Sequence, residues 1–387
     1  MRILYHHRTQ ADDGQAVHIR SLIDAFRAEG ADVREVALVE KAGGPPPGSA
    51  PAESGGGGWS WIGRVPRFVR ELAEYGYTVP ASRRLRGAIA EFQPSFVYER
   101  YAFGNAAGVR VASRSKVPLV LEVNSPMVQE LTKTRGLSFP GFARRVESSI
   151  FQRADRIAVV TGVLRDILAE LGVPAERMFV TPNGVHLELF AAPDRVAARR
   201  DLGVEAAEGP VFGFVGYYRD WHRLDLVVDA LATTELRAAH LVLVGAGPVE
   251  GELREQAQRR GVAARVHFAG KRPHDRIPAV LPAFDVGLVP AINPYASPLK
   301  LHEYMAAGVA PIAPDQPNLR EVLRHGHDAL LVPPGDGVAL VDALVRLATD
   351  EPLRQSIGAA AQRSIVEQDL TWRGNARRVL AEVRQLS

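Results

Sequence analysis

The residues best suited to chemistry lie in one stretch, Ser297-Pro298-Leu299-Lys300-Leu301-His302-Glu303-Tyr304-Met305-Ala306-Ala307-Gly308. Ser297-Pro298 reads as a helix start, with proline at the first helical position and backbone amides free at that end. Free amides and the helix dipole together make a phosphate site. Lys300 falls in the first turn, where a cation opposes the dipole. A diphosphate bound at the same end would neutralise it. Glu303, one turn further in, can point back over that end, and a carboxylate there suits the two hydroxyls of a ribose. From the residues alone a second reading stays equally open: a surface Lys/Glu pair at i and i+3, worth roughly 0.2–0.5 kcal/mol.

Elements able to position this segment precede it. Val211 to Gly216 reads as a strand ending in glycine, followed by the polar loop Tyr217-Tyr218-Arg219-Asp220-Trp221-His222-Arg223 and a helix over 224–232. A strand over 241–244 leads into Gly245-Ala246-Gly247-Pro248, then a helix through Gln258, a strand over 266–268 with Gly270 after it, and a strand over 285–290. The first half has the same alternation. Arg2 to Tyr5 is a strand, 6–15 a polar loop, and Val17, Ile19, Leu22, Ile23 and Phe26 mark a helix ending near Gly30 before a strand over 32–37. Such a βαβ unit places ligands beyond the carboxyl ends of its strands. The loop lacks a GxGxxG fingerprint, which argues against a dinucleotide site. Gly14-Gln15 could bring backbone close to a sugar or acceptor, although an ordinary βα turn is the commoner meaning of such residues. Further strands are expected over 96–99, 118–122, 156–160 and 178–181. Their unbroken apolar character, as in Val117-Pro118-Leu119-Val120-Leu121, suits parallel strands covered on both faces. Glu122 and Asn124 then stand at a carboxyl end, where either could bond a sugar hydroxyl or simply cap the loop.

Composition sets the outer bounds. With 387 residues, 46 % hydrophobic and 24 % charged, the chain suits two α/β domains. A net charge of +3 is too small to argue for nucleic acid, while a local basic surface for an anionic substrate or membrane stays open. The absence of cysteine excludes disulfides, thiolate metal sites and a thiol nucleophile. The histidine pairs lack the spacing and carboxylate company of a metal site. No signal-like N-terminus and no apolar run of ~18 residues is present, so a cytoplasmic protein is expected. Residues 42–58 are low-complexity and cannot pack a core. Residues 59–70 alternate aromatics with arginines; they suit contact with a membrane face or an anionic acceptor, but the pattern favours an amphipathic helix covering the first domain.

The combination of Thr181-Pro182-Asn183-Gly184-Val185, Phe214-Val215-Gly216, Val244-Gly245-Ala246-Gly247-Pro248, Phe268-Ala269-Gly270, the 297–308 segment and Asp328 to Asp336 resembles glycosyltransferase family 4, the retaining group 1 enzymes. Each motif alone is weak, and six in order are specific. The resemblance implies an α/β, GT-B fold: two Rossmann-like domains facing across a cleft. Residues 1–187 would bind the acceptor and 188–365 the nucleotide-sugar, with a C-terminal helix in 366–387 crossing back. No cofactor or metal is implied; the nucleotide-sugar is a co-substrate, UDP before GDP. Carried over by position, Glu303 matches the ribose-binding glutamate, and Lys300 with the amides of Ser297 to Leu299 matches the diphosphate end. Gly216 to Arg219 match the phosphate loop, Gly14 and Gln15 the loop closing on diphosphate and sugar, and Gly270 to Arg272 the loop beside the base. Asn124 stands near a usual sugar-contacting histidine.

Three positions depart from the family pattern. Tyr295 stands where an acid eight residues before the glutamate usually contacts the donor sugar. Tyr217 replaces the Arg after the loop glycine, and His222 the later Lys. Arg219, Arg223 and Lys300 could restore the positive charge. The implied chemistry is front-side displacement, with Arg219, Lys300 and Asn124 as catalytic candidates. The rival readings are a cyclitol-coupling enzyme, a nucleotide-sugar epimerase, or a non-catalytic binding protein on the same fold.

Overall fold

The computed structural model describes residues 1–9, 14–37 and 66–386. The expectations for 42–58 and for 59–65 lie outside the described residues, as does the middle of the 6–15 loop. The chain divides into two compact units: Met1–Val160 with Leu164–Thr181 and Ala376–Ser387, and Thr161–Val163 with Pro182–Asn375.

The first unit runs β1 (Arg2–His7), α1 (Gly14–Ala28), β2 (Asp32–Ala37), α2 (Arg67–Gly76), α3 (Thr78–Phe92), β3 (Phe96–Arg100) and α4 (Ala107–Ser115). It continues with β4 (Leu119–Val123), α5 (Met127–Thr134), α6 (Pro140–Arg153), β5 (Arg156–Val159), α7 (Gly162–Glu170) and β6 (Met178–Val180). Its six strands lie in the order β2-β1-β3-β4-β5-β6, all parallel. All five residues of β4 are buried, which is why the sequence there is apolar without alternation.

The second unit holds α8 (Arg195–Asp201), β7 (Val211–Tyr217), α9 (Leu224–Ala230), β8 (His240–Ala246), α10 (Glu250–Arg259), β9 (Val266–Gly270) and α11 (Ile277–Val280). Then come β10 (Val286–Leu288), α12 (Leu299–Ala306), β11 (Ala310–Pro314), α13 (Pro317–Arg320), β12 (Leu330–Val332), α14 (Gly337–Thr349), α15 (Glu351–Glu367) and α16 (Trp372–Arg384). The second sheet is parallel throughout, in the order β12-β11-β10-β7-β8-β9. Each unit is Rossmann-like: a six-stranded parallel sheet built from βα repeats. From Ala376 onward α16 belongs to the first unit, where Arg156 meets Glu382 and Arg377 meets Glu29, both at 3.3 Å.

Several expected boundaries move. β1 continues through His6 and His7, so these are buried strand residues rather than loop. Gly14 and Gln15 open α1 instead of forming a turn. β8 extends to Ala246, taking in Gly245. Pro298 caps α12 from outside and Leu299 is its first residue.

Of the segment expected to cover the first domain, α2 holds residues 67–70, and its apolar members Phe68 and Val69 are exposed. Leu72 is exposed as well, and the one buried residue of α2 is Glu71. That carboxylate accepts from Ser138 N at 2.6 Å and Phe139 N at 3.2 Å, and from Tyr75 Oη at 3.2 Å. It thereby serves the amides leading into α6, where a negative charge complements the helix dipole. Among the described residues no helix is long and apolar enough to cross a membrane.

Packing in the second sheet leaves no room at Gly213 of β7. A Cβ there would stand 2.0 Å from the Phe284 ring. Gly213→Ala is therefore expected to cost about 1–3 kcal/mol by overpacking. Gly251→Ala in α10, whose Cβ would meet nothing within 4 Å, should leave the urea midpoint unchanged or raise it. Equal midpoints for the two variants would contradict this packing.

Candidate functional site

The site grows from the ends of β7 and β8. Their register sets Gly216 against Gly245, and both have φ of 141°, a conformation that side chains rarely adopt. A Cβ on Gly245 would lie 1.9 Å from the Gly216 carbonyl oxygen, and one on Gly247 would lie 2.1 Å from that of Tyr218. The glycines of these two loops are thus required by backbone crossing backbone. At Gly216 the missing side chain leaves space that Lys300 takes, its Nζ standing 2.9 Å from where a Cβ would be.

Lys300 is the second residue of α12. Its Nζ lies 3.8 Å from the centroid of the Phe214 ring, a cation–π contact. Among the described residues no carboxylate pairs with it at ion-pair distance. Burial of its ammonium lowers its pKa to about 7, partly offset by the charge of Glu303. The residue as a whole is half-buried.

His222, which stands where the family pattern has a lysine, cannot supply the missing charge. It is buried, it packs edge-on against Phe214 with centroids 5.0 Å apart, and its Nδ1 accepts from Arg219 N at 3.3 Å. Burial, then Lys300 and Arg219, push its pKa down to about 3. Arg223 is committed elsewhere, its guanidinium bonding both oxygens of Asp225 at 3.1 Å. Lys300 and Arg219 therefore carry the positive charge on this side. Arg219 is exposed and lies 4.9 Å from the centroid of the Tyr217 ring.

Glu303 is buried and bonded by His274 Nε2 at 2.6 Å. A carboxylate only accepts, so His274 carries the proton on that nitrogen. His274 follows β9 after a short loop and was not anticipated from sequence. Nothing in Pro273-His274-Asp275 signals a partner 29 residues away. Ser297 is held by Asn183, which donates its backbone N to Ser297 Oγ at 3.0 Å and its side-chain amide to the Ser297 carbonyl. His302 Nδ1 bonds the Pro298 carbonyl at 3.1 Å and fixes the first turn, so the amides around Leu299 are presented by a locked helix start. Tyr295, in place of the usual acid, has its carbonyl bonded by Thr161 Oγ1 at 2.9 Å.

Not every candidate joins this constellation. Gly270 ends β9 with φ of 70°, but Arg272 turns its guanidinium to Asp201 at 3.3 Å. Gly14, Gln15 and Asn124 belong to the first unit. There the Asn124 side chain donates to Glu122, which is no free sugar ligand: it is buried and also receives His18 at 3.1 Å and Arg100. Burial alone would raise its pKa, yet His18, Arg100 and Asn124 hold it well below the usual carboxylate range. Gly14 and Gln15 are exposed at the amino end of α1. Among the described residues no group of three His, Asp or Glu could hold a metal ion.

Glycines near the ends of two parallel strands, a helix start carrying a lysine, and a buried glutamate one turn on lie together in the second unit. Residues 13–184 match the glycosyl transferase 4-like domain profile, and 209–350 the profile of glycosyl transferases group 1. The chain belongs to the group 1, GT4-like glycosyltransferases. It is 29 % identical over 279 residues to D-inositol 3-phosphate glycosyltransferase of Nocardia farcinica, covering 68 % of this chain and 61 % of that one. It is 31 % identical over 222 residues to 2-deoxystreptamine N-acetyl-D-glucosaminyltransferase of Streptomyces fradiae, covering 55 % and 52 % respectively. The match thus spans less than two thirds of these relatives. Among solved structures, HepE of Anabaena in complex with UDP covers 100 % of both chains with a TM-score of 0.75 and 19 % identity. That likeness shows the GT-B fold.

A lysine whose pKa falls from 10.5 to about 7 on folding binds fewer protons folded than unfolded between those values. Stability then rises with pH across that window, by at most ~1.4 kcal/mol per pH unit for one group. The group 1 glycosyltransferase is expected to show this slope in denaturation midpoints from pH 7 to 10, and Lys300→Met to lack it. Parallel curves for the two proteins would show that Lys300 does not titrate in this range.

Proposed function

We propose that this chain transfers a sugar from a nucleotide-sugar, UDP-linked before GDP-linked, to a hydroxyl of a polysaccharide, glycolipid or natural-product acceptor, with retention at the anomeric carbon. Residues 188–365 hold the donor and 1–187 the acceptor. The observation that carries this reading is Lys300, a desolvated ammonium with no carboxylate at ion-pair distance among the described residues, beside a helix start and a glycine loop. A diphosphate supplies the charge that this arrangement lacks.

In the reaction the bond between the anomeric carbon and the diphosphate oxygen breaks. The acceptor hydroxyl bonds to that carbon from the same face, and its proton passes to the departing phosphate. Lys300, Arg219 and the amides around Leu299 stabilise the negative charge growing on the leaving group. That stabilisation comes from fixed cations and dipoles, so the chemistry asks for no metal. Glu303, oriented by His274, accepts from the ribose hydroxyls. Asn124 of the first unit, whose side chain is bonded to Glu122, is kept as the candidate for sugar contact. The family frequency of UDP is joined by the UDP held in the HepE structure. We place the work in the cytoplasm, with 59–70 as a contact to the inner membrane face.

Thermal-shift titration with UDP, GDP, ADP and dTDP is the first test. One nucleotide should raise the melting temperature, and Glu303→Ala should abolish the rise. With the matching sugar-nucleotide, Lys300→Ala is expected to lose about a hundredfold in kcat, and the product should keep the donor's anomeric configuration. Full turnover by Lys300→Ala would remove the assignment, and product formed from donor alone would favour an epimerase. No shift with any nucleotide would favour a binding protein. His274→Ala should raise KM for the donor several-fold and leave kcat near wild type.

A further inference from the structure

A second cationic feature lies in the helical layer of the first unit, built from residues that the proposed reaction does not use. Arg86 of α3, Arg110 and Arg114 of α4, and Arg153 at the end of α6 line a depression of about 310 Å³, floored by Thr78 and Ser82. Its volume falls at the lower end of small-molecule sites.

The charge in this depression is uncompensated among the described residues. Helices α3, α4 and α6 together contain two acidic residues, Glu91 and Glu147. Glu91 is taken by Arg34 at 2.9 Å. Glu147 is buried and accepts from Tyr101 Oη at 2.9 Å and Val128 N at 3.1 Å. Asp155, two residues beyond Arg153, accepts from Leu119 N at 2.8 Å. Among the described residues none of the four arginines has a carboxylate partner, whereas Arg100, Arg156, Arg195, Arg199 and Arg260 each have one. Arg110 and Arg114 are moreover one turn apart on α4, a like-charge spacing that weakens a helix by a few tenths of a kcal/mol.

The hydroxyls on the floor are occupied. Thr78 Oγ1 donates to the Gly104 carbonyl at 3.3 Å and accepts from Ala106 N at 3.2 Å. Ser82 Oγ donates to the Thr78 carbonyl at 2.6 Å. Recognition is left to the guanidinium forks, whose planar pairs of N–H groups fit phosphate oxygens two at a time. Arg86 uses only its Nε locally, on the Ser82 carbonyl at 3.2 Å, and keeps its terminal nitrogens for a ligand. Four forks around one depression exceed what a single monovalent anion needs.

We propose that this depression binds a phosphate-bearing ligand, using Arg86, Arg110, Arg114 and Arg153. The phosphate belongs either to a soluble phosphorylated compound or to a lipid headgroup, and the two sources are separated by experiment. The full chain is titrated with inorganic pyrophosphate by calorimetry, and sedimented with phosphatidylcholine vesicles made with and without phosphatidylglycerol. Wild type is compared with Arg110→Ser/Arg114→Ser and with Arg27→Ser/Arg165→Ser, a control that removes the same charge from elsewhere on the first unit. Binding at the donor site is common to all three proteins and cancels in the comparison.

The double variant in α4 should bind about tenfold more weakly in one arm, a difference of ~1.4 kcal/mol, while the control stays near wild type. Loss confined to calorimetry assigns a soluble compound. Loss confined to the phosphatidylglycerol vesicles assigns a lipid headgroup. No binding in either arm, or equal binding by the two double variants, overturns the proposal and leaves Arg114 and Arg153 as partners for the carbonyls ending α4 and α6. Arg27, Arg110, Arg114 and Arg153 are exposed and Arg165 is half-buried, so a thermal melt matching wild type is expected, and Arg153→Ser serves as the independent second variant.

Discussion

The ammonium of Lys300 over the ring of Phe214 is the contact on which the second unit's site depends. Gly216, next to the last residue of β7, leaves it room, because a Cβ there would stand 2.9 Å from the Nζ and make the lysine shift. The end of β8 must be equally bare, because Gly245 passes under the Gly216 carbonyl. These requirements tie two loops and one helix together through volume alone. Phe214 also takes the edge of His222, so one ring separates a cation from an imidazole that burial keeps neutral. The ring thus packs against both side chains, and of the two it is the lysine that carries charge.

Much of this was legible because local pattern and global role coincide there. The strands of both sheets appear as short apolar runs, since burial on both faces removes the alternation that a one-sided sheet would show. The segment from Ser297 to Gly308 carries its chemistry within one helix turn, so spacing alone put Lys300 and Glu303 on the same end. The strand boundaries were less legible. His6 and His7 read as loop because they are polar, yet Glu99 and Glu35 lie beside them at 3.4 and 2.8 Å and let β1 continue.

What escaped the sequence was pairing across long separations. His274 with Glu303, Asn183 with Ser297, and Glu71 with Ser138 join residues 29, 114 and 67 positions apart. Each of these side chains also looks ordinary in its own window. The apolar residues of α2 misled in a related way. The alternation over 59–70 suggests a covering helix, yet Phe68 and Val69 are exposed, and α2 is held by Glu71 at the start of α6 and by Tyr75 against Phe103 and Phe142. Charge that is buried for structural reasons leaves no pattern in composition or period.

Glu122 in the first unit and Lys300 in the second differ in how completely their buried charge is compensated. In the first, Glu122 has His18, Arg100 and Asn124 around it, and Tyr5 within 3.5 Å, so that its charge is stabilised beyond the cost of burial. A carboxylate satisfied to that degree has little left for a ligand, and its work is to hold the ends of β3 and β4 and the start of α1 in register. In the second unit, Lys300 is desolvated with one ring and a distant carboxylate for company. The protein pays for that deficit in its unliganded state. An anion of matching charge would remove the deficit. The sequence departures at Tyr217 and His222 sharpen the point, because they strip two cations from the usual phosphate loop and concentrate the remaining demand on Lys300 and Arg219.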